Sequence, residues 1–594
     1  MSRGRWRSSL LTRRLDHYPN TLPRHGYLAI VVLTTIALYY LYYVEGAVLP
    51  LMLPSYHMSF LYFVNIIVVS NVIGAFTALI GGLSDRIGRA NLTIYGTLFL
   101  GLVQLIAIPN THSKFGFGVA YCVIGFVEGM ILVSTPALMR DFSPQVGRST
   151  AMGFWALGPT MGALIASLVA THTLPHLPPW QDQFIISGIV CLSVVVISFC
   201  FLRELSPQLR DQIIVSQRER ALVEARARGI DVDAAGAHPI RTMLHLDLIA
   251  SSIGISVFLL FYYASVTILT LYWVVVFGRS TSDANGINVW YAAVLSGALI
   301  VFGVISDQLR VRKPLMLVGS VATIVVMIFF ILQVEHPRVG YYSNVTMVVL
   351  LAVAIGCTYA PWMAGYTEQV EHHNPALSAM GLAIWGWVLR ITVAISFLVL
   401  PYVITTSTTL VDNQGAATTL KSVQAAAPYT PSLTGCAALP TPGRVLDNLR
   451  ATGQPGPETL ARLLSTCNRT HNLVSALTAA GGLQNPQIQG LLAFNPLAAS
   501  ISKGQAVSDQ KIQALVGAHS PDLARLLMAE KRLVPAQAAS PQEWKRWWWA
   551  CVGGEVIFLL LIFAMRGRWS PRAAKRDFEQ HERMVEVELA KLSE

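Results

Sequence analysis

The chain has 594 residues, of which 53% are hydrophobic and only 13% are charged, and its formal net charge is +11. Soluble domains carry about 25% charged residues, so this composition excludes a soluble enzyme, a disordered chain, a coiled coil and a disulfide-dense secreted module. The class that remains is a polytopic membrane protein, which implies a lipid bilayer as partner.

Twelve apolar runs are long enough to cross a bilayer core, which requires about 20 residues per helix. The first 25 residues are polar and rich in Arg, so we expect the first run to be a retained span and not a cleavable signal. The pattern therefore predicts an all-α polytopic membrane protein. The predicted spans are 26–49, 58–80, 91–109, 116–138, 149–172, 183–202, 247–277, 284–304, 314–333, 342–364, 379–403 and 547–565.

Lys and Arg residues are distributed unequally between the two sides of these spans. The short loops on one side hold Lys114, Arg279 and Arg338, whereas most other basic residues fall in the terminal segments and the alternate loops. Because basic loops stay on the cytoplasmic side, we predict a plasma (inner) membrane protein with both termini in the cytoplasm. The positive charge is then a topology signal, and no nucleic-acid partner is expected.

Two polar segments interrupt the spans and set the predicted domain boundaries. Residues 405–545 would form an extracytoplasmic insertion, in which amphipathic pieces beginning at Pro457 and Ser520 indicate a small helical domain. Cys436 and Cys467 in it either form a disulfide or remain two free thiols, and the domain offers a surface for an extracytoplasmic protein partner. The predicted parts are a cytoplasmic segment (1–25), a six-helix bundle (26–202), a cytoplasmic linker (203–243), helices 7–11 (244–404), the insertion (405–545), helix 12 (546–566) and a cytoplasmic tail (567–594).

The two halves of the chain contain matching sequence anchors. Gly81–Arg89 follows the second span, and Gly303–Arg310 follows the eighth. Met152 and Met380 each follow an Ala at the start of a span, and Pro136 and Pro361 lie near span ends. The three spacings are 222, 228 and 225 residues (307 − 85, 380 − 152 and 361 − 136). This near-constant spacing predicts a duplicated six-helix unit.

The stretch Gly81–Arg89 resembles the G-x-x-x-D-R-x-G-R signature of the major facilitator superfamily, with every fixed position present. The second copy keeps its Gly and Asp but departs from the signature after Asp307. The resemblance covers the twelve spans and the linker, but not 405–545. It implies two pseudo-symmetric six-helix bundles and a conformational latch that favours one access state. The implied latch residues are Gly81, Asp85, Arg86, Gly88, Arg89 and Asp307.

Charged residues in the middle of a span are rare and mark functional sites. Arg390 lies near the middle of the eleventh span and Glu128 near the middle of the fourth. The resemblance places both helices at or beside a central cavity, one from each half. Arg390 is either an anchor for an anionic substrate or a structural partner of Glu128. Glu128 is either a proton carrier or a permanently ionised partner of Arg390.

Aromatic residues and a Gly-Pro motif supply the other candidates. Tyr39 and Tyr43 share a helical face, and with Trp387 they are expected to contact substrate, although packing and interfacial belts are the alternative. Gly158–Ala163 resembles the G-P-x-x-G-G motif of proton-driven exporters, and a plain kink is its alternative. Glu555, on a helix that the resemblance places outside the cavity, is expected to be structural.

These features predict a secondary active transporter of a small organic solute, most consistent with an organic anion, that works by alternating access and proton coupling as a symporter or an antiporter. A proton-driven exporter of drugs or metabolites is one alternative, and a sensor or receptor that acts through the outer domain is another. No catalytic residues and no cofactor are expected, so we expect that the protein is not an enzyme. No metal site is expected at His372 and His373, which with Glu368 and Glu371 are predicted to lie in a loop.

Overall fold

The computed structural model describes residues 13–79, 88–143, 153–206, 244–309, 311–336, 339–373, 378–412 and 521–565, together with 209, 569–570, 572, 576 and 583. Several predictions concern residues outside this set. They include the latch residues Gly81, Asp85 and Arg86, most of the linker, and the part of the insertion that carries Pro457, Cys436 and Cys467.

Twelve helices of the described chain are long and apolar enough to cross a membrane, and they confirm the predicted all-α class. One pair of two-residue parallel strands, β1 (Arg14–Leu15) and β2 (Glu204–Leu205), joins the N-terminal segment to the end of the sixth helix. The helices are α1 (Thr21–Ser55), α2 (Phe60–Leu79), α3 (Arg89–Leu102), α4 (Lys114–Phe142), α5 (Gly158–Thr173), α6 (Trp180–Phe201), α7 in two pieces (Leu246–Phe258 and Leu260–Phe277), α8 (Thr281–Leu309), α9 (Lys313–Gln333), α10 (Tyr341–His373), α11 (Ser378–Val403) and α12 (Pro521–Ala564).

The ends of three helices differ from the apolar runs that predicted them. α1 continues to Ser55 through two prolines, which membrane helices tolerate because neighbouring helices and side chains satisfy the freed backbone groups. α10 continues to His373, so His372 and His373 lie in its last turn and not in a loop. α12 begins at Pro521, far before its apolar part, because polar residues extend the helix beyond the length that hydropathy detects.

The chain divides into two compact units, residues 405–543 and the rest. In the larger unit, α1–α6 pack mainly on one another, and so do α7–α11. The two halves meet where α1 packs on the second piece of α7, α5 on α8, and α2 on α11. In the smaller unit, a helix over Ser407–Asp412 is described besides the first part of α12, and Glu543 accepts hydrogen bonds from Thr405 and Thr406.

We call the end of the larger unit that carries residue 13 the N-terminal face, and the other end the opposite face. α1 leads from the N-terminal face to the opposite face, and successive helices alternate in direction. The N-terminal segment is held firmly at the first of these faces. Arg13 is 2% exposed, its Nη1 donates to the carbonyl of Phe199 at 2.6 Å, and its guanidinium lies 4.1 Å from the centre of the Phe199 ring.

Candidate functional site

The two halves touch directly near the opposite face. Ser282 Oγ of α8 donates to the carbonyl of Thr171 on α5 at 2.7 Å, and Asn285 Nδ2 of α8 donates to the carbonyl of Ala47 on α1 at 2.8 Å. At Gly46 of α1 the backbones approach so closely that an added Cβ would lie 2.4 Å from the carbonyl oxygen of Val266. Within the described residues, both hydrogen bonds between the halves lie at this end.

A cavity of about 20 Å³ lies between the halves just below these contacts. This volume holds roughly one water molecule, so no solute fits there without movement of the helices. Polar groups from the second half line it: Asn288 Nδ2 donates to Thr270 Oγ1 at 2.9 Å. The lining residues of α1, α5, α7 and α8 include Tyr43, Thr160, Ser167, Tyr262, Ser265 and Tyr291.

The charged residues predicted for the cavity lie on opposite halves and are close enough to interact electrostatically. Glu128 of α4 is 9% exposed, and Arg390 of α11 is half-buried. The two side chains interact electrostatically across the interface, and Tyr39 of α1 and Tyr263 of α7 lie within the field of the guanidinium. Within the described residues, neither Glu128 nor Arg390 forms a hydrogen bond or an ion pair. Whether Arg390 binds a ligand stays a prediction.

The structure separates the predicted aromatic contacts. Tyr39 lies within the electrostatic field of the two charges, and its ring packs against that of Tyr43 in a tilted arrangement with ring centres 5.6 Å apart. Tyr43 lines the small cavity. Trp387 is 61% exposed. Its neighbour Trp385 instead packs on Trp362, with ring centres 5.4 Å apart. The role of Trp387 in substrate binding stays a prediction.

A second buried carboxylate lies close to this site. Glu45 of α1 is 3% exposed, and its Oε1 accepts a hydrogen bond of 2.8 Å from the Tyr121 hydroxyl of α4. The Tyr121 ring stacks on Tyr42, which lies in the electrostatic field of both Glu45 and Glu128. Polar and ionisable groups thus continue from Glu128 toward the opposite face.

The described latch residues make contacts within their own half. Arg89 at the start of α3 pairs with Asp141 at the end of α4, and both side chains are less than a tenth exposed. Gly88 has a φ of 100°, and a Cβ added there would lie 2.5 Å from Glu204 Oε1. In the second half, Asp307 pairs with Arg312 at 2.8 Å. Whether these residues control the access state stays a prediction.

The Gly-Pro motif of α5 lies against α1. α5 begins at Gly158 after a turn at Leu157, and Gly162 meets α1 where an added Cβ would lie 2.5 Å from the Cβ of Tyr39. A small residue is needed there because the two backbones are nearly in contact. The motif thus sets the position of the helix that carries Tyr39.

The sequence profile of the Major Facilitator Superfamily matches residues 28–395, which is more than half of the chain. The chain belongs to the major facilitator superfamily. This superfamily consists of membrane carriers that are generally not enzymes. The family and the twelve long apolar helices show that the protein is an integral membrane protein. Members of the superfamily bind small-molecule substrates.

Two solved structures of a superfamily transporter share this fold. Both are of a bacterial homolog of the human lysosomal transporter Spinster in an inward-facing conformation, one occupied and one unoccupied. The first has a TM-score of 0.51 and covers 95% of this chain and 99% of its own. The second has a TM-score of 0.50 and covers 93% and 100%. Sequence identity is 13% in both cases, so the likeness concerns the fold alone.

Two superfamily relatives of known activity match shorter stretches. The multidrug efflux pump LfrA of Mycolicibacterium smegmatis is 28% identical over 145 residues, which cover 24% of this chain and 28% of LfrA. The cis,cis-muconate transport protein of Acinetobacter baylyi is 26% identical over 140 residues, which cover 22% of this chain and 33% of that protein. The matched part of this superfamily member therefore spans a third or less of the length of either relative.

Sequence analysis of this superfamily member missed the polar residues of α8. Asn285 is fully buried and joins the halves, whereas Asn288 is 7% exposed and accepts from Trp273 Nε1 at 3.1 Å. Two Asn residues three positions apart in an apolar span were a usable signal, because amides are costly in lipid and seek partners inside the bundle. Glu555 of α12 is also fully buried, and neither of its carboxylate oxygens has a hydrogen-bond partner among the described residues.

Proposed function

We propose that this protein is a proton-coupled secondary transporter of a small organic anion. The observation that carries this proposal is the Arg390 guanidinium in the middle of α11, which has no ion pair among the described residues and interacts electrostatically with Glu128 of the other half. Insertion of a cationic side chain at this depth of the bilayer costs about 3 kcal/mol, so a charged residue there indicates a functional role. A guanidinium binds a carboxylate or a phosphate with two parallel hydrogen bonds.

Glu128 is proposed as the proton carrier. Its carboxyl group is buried and interacts electrostatically with the guanidinium, so bound anion and ionised Glu128 would compete for the same positive charge. Protonation of Glu128 therefore favours anion binding, and departure of the anion favours release of the proton. Because each ligand favours binding of the other, the anion and the proton would cross the membrane in the same direction.

Alternating access is proposed to begin from the N-terminal face. The halves are joined near the opposite face by Ser282 and Asn285, and the cavity beneath these contacts is too small for a solute. A solute would thus reach Arg390 from the N-terminal face, and rocking of the halves would break the contacts at the other end. We further propose that the N-terminal face is cytoplasmic in a plasma membrane, as the distribution of Lys and Arg predicts.

Relatives support two substrate classes. Muconate is a dicarboxylate, so the cis,cis-muconate transport protein supports an organic anion. The multidrug efflux pump LfrA and the Gly158–Gly162 motif favour the second candidate, a proton-driven exporter of drug-like compounds. The two candidates differ in substrate charge, since Arg390 would attract an organic anion and repel a cation.

The first test is ligand-induced thermal stabilisation of the full-length protein in detergent. The probes are cis,cis-muconate as an anion and tetraphenylphosphonium as a lipophilic cation. We expect muconate to raise the melting temperature of the wild type, Arg390→Ala to abolish this rise, and Arg390→Lys to recover part of it. Arg546→Ala, at an exposed position of α12, is the matched control and should respond as the wild type does. Stabilisation by the cation alone would favour the exporter.

The second test separates coupling from binding. In proteoliposomes, Glu128→Gln should keep muconate exchange between the two sides but lose uptake driven by a pH gradient. Loss of both activities would show that Glu128 holds the binding site together and carries no proton. Replacement of 413–520 by a short Gly/Ser linker tests the sensor alternative, because a transporter should retain exchange without this segment.

A further inference from the structure

A cluster of titratable side chains lies where α7 begins and α10 ends, at the N-terminal face. His373 Nε2 lies 2.9 and 3.1 Å from the two carboxylate oxygens of Asp247. The ring of His245 stacks on the ring of His373 with centres 3.9 Å apart. One potential ligand atom from each of the three residues lies within 4.8 Å of the other two. Both helices belong to the second half, so this cluster is separate from the site between the halves.

Helix ends position the three side chains. His245 has the extended backbone of a residue that precedes a helix, and its carbonyl accepts from the amide of Ile249. Asp247 lies in the first turn of α7, where the helix dipole stabilises a negative charge. His373 lies in the last turn of α10, where the dipole has the opposite sign. Two helix ends of opposite polarity therefore meet at this cluster.

We propose that His245, Asp247 and His373 bind a Zn²⁺ ion. Two imidazoles and one carboxylate form a donor set that Zn²⁺ commonly uses, whereas Ca²⁺ and Mg²⁺ require mainly oxygen ligands. The ion would replace the proton between His373 Nε2 and Asp247, and a water molecule would complete a four-coordinate site. In such a site the ligand atoms are about 3.3 Å apart, given metal–nitrogen bonds of about 2.0 Å.

The side chain of His245 must move to close this site. His245 is exposed, whereas Asp247 and His373 are half-buried and already in contact with each other. Because the three ligand atoms already lie within 4.8 Å of one another, we expect rotation of the exposed ring out of its stacked position to close the site. Bound Zn²⁺ would tie the first turn of α7 to the last turn of α10.

The test uses full-length protein without a polyhistidine tag, treated with chelator and then titrated with Co²⁺. We expect one equivalent of Co²⁺ to give the visible d–d absorption of a four-coordinate site, and one equivalent of Zn²⁺ to remove that absorption. His245→Ala and His373→Ala should each weaken Co²⁺ binding at least about tenfold. Because His245 is exposed, we expect its variant to fold as the wild type does, and the melting temperature without metal checks this.

His372→Ala is the matched control. His372 is adjacent on the same turn of α10, its ring lies edge-on to that of His373 at 6.1 Å, and its removal should leave Co²⁺ affinity unchanged. Absence of a four-coordinate Co²⁺ spectrum would overturn the proposal and leave a His373–Asp247 ion pair. Undiminished binding in the His245→Ala and His373→Ala variants would also overturn it, since the metal would then lie elsewhere.

Discussion

The Arg89 guanidinium contacts both carboxylate oxygens of Asp141 from a single nitrogen, at 2.6 and 2.8 Å. The second half repeats this pair, because Arg312 at the start of α9 contacts Glu368 near the end of α10 at 2.8 Å. The corresponding residues are 223 and 227 residues apart (312 − 89 and 368 − 141), as expected from the sequence repeat. The duplication thus extends from sequence anchors to an ion pair, although only the first copy is buried.

Because only one of these ion pairs is buried, we predict that the two contribute differently to the free energy of unfolding. Asp141→Asn replaces the buried carboxylate that Arg89 contacts by a neutral amide, and we expect a loss of about 3–5 kcal/mol in the free energy of unfolding. Glu368 is 58% exposed, and its pair should contribute at most about 1 kcal/mol. Thermal unfolding of Asp141→Asn and Glu368→Gln in the same detergent measures this contrast. Equal shifts in melting temperature would contradict it.

Gly88 is predicted to tolerate no side chain. Its φ of 100° is costly for any L residue, and an added Cβ would collide with Glu204 Oε1. We expect Gly88→Ala to lower the free energy of unfolding by about 1–3 kcal/mol or more. Gly303→Ala is the control, since nothing lies within 4 Å of its added Cβ. A melting temperature of Gly88→Ala equal to that of the control would refute this prediction.

Two buried carboxylates should respond in opposite ways to removal of their charge. Glu555 has no hydrogen-bond partner among the described residues, so we expect Glu555→Leu to stabilise the protein by about 1–4 kcal/mol. Glu45 accepts from Tyr121, so Glu45→Leu should be destabilising because it leaves that hydroxyl without its acceptor. The melting temperatures of both variants, measured by calorimetry or fluorescence, show whether each substitution stabilises or destabilises the protein. A lower melting temperature for Glu555→Leu would mean that its carboxyl group has a stabilising partner.

Substitutions at the two faces should shift the access state in opposite directions. Asn285→Ala removes a hydrogen bond between the halves near the opposite face, worth about 1 kcal/mol, and should favour opening there by about fivefold. Asp85→Asn should weaken the latch implied by the family signature and favour opening at the N-terminal face. Asn71→Ala is the control, because its amide bonds to Ile67 within one helix.

The measurement is the labelling rate of a single cysteine at Ser167, which lines the small cavity, in a background without the native cysteines. A reagent supplied from the opposite face should label it faster in Asn285→Ala and more slowly in Asp85→Asn. Identical rates in both variants and in the control would show that neither contact governs access.

The number, order and duplication of the spans could be read from the sequence, because each depends on local properties. A bilayer imposes a fixed apolar length on every helix, and a repeat preserves spacing along the chain. The same reasoning failed at helix ends. α10 reaches His373 and α12 begins at Pro521 because polar residues continue a helix without any hydropathy signal.

The tertiary structure alone decided which side chains meet. Glu45 lies 76 residues from Tyr121, and Asp247 lies 126 residues from His373. Neither separation follows a helical or strand period, so no pattern within a segment could join these pairs. Helix packing also brought Arg390 and Glu128 within electrostatic range without an ion pair among the described residues, whereas Arg89 and Asp141 form a direct ion pair. The sequence by itself thus determined the spans and their repeat, whereas contacts between remote helices arise only when their apolar faces pack together.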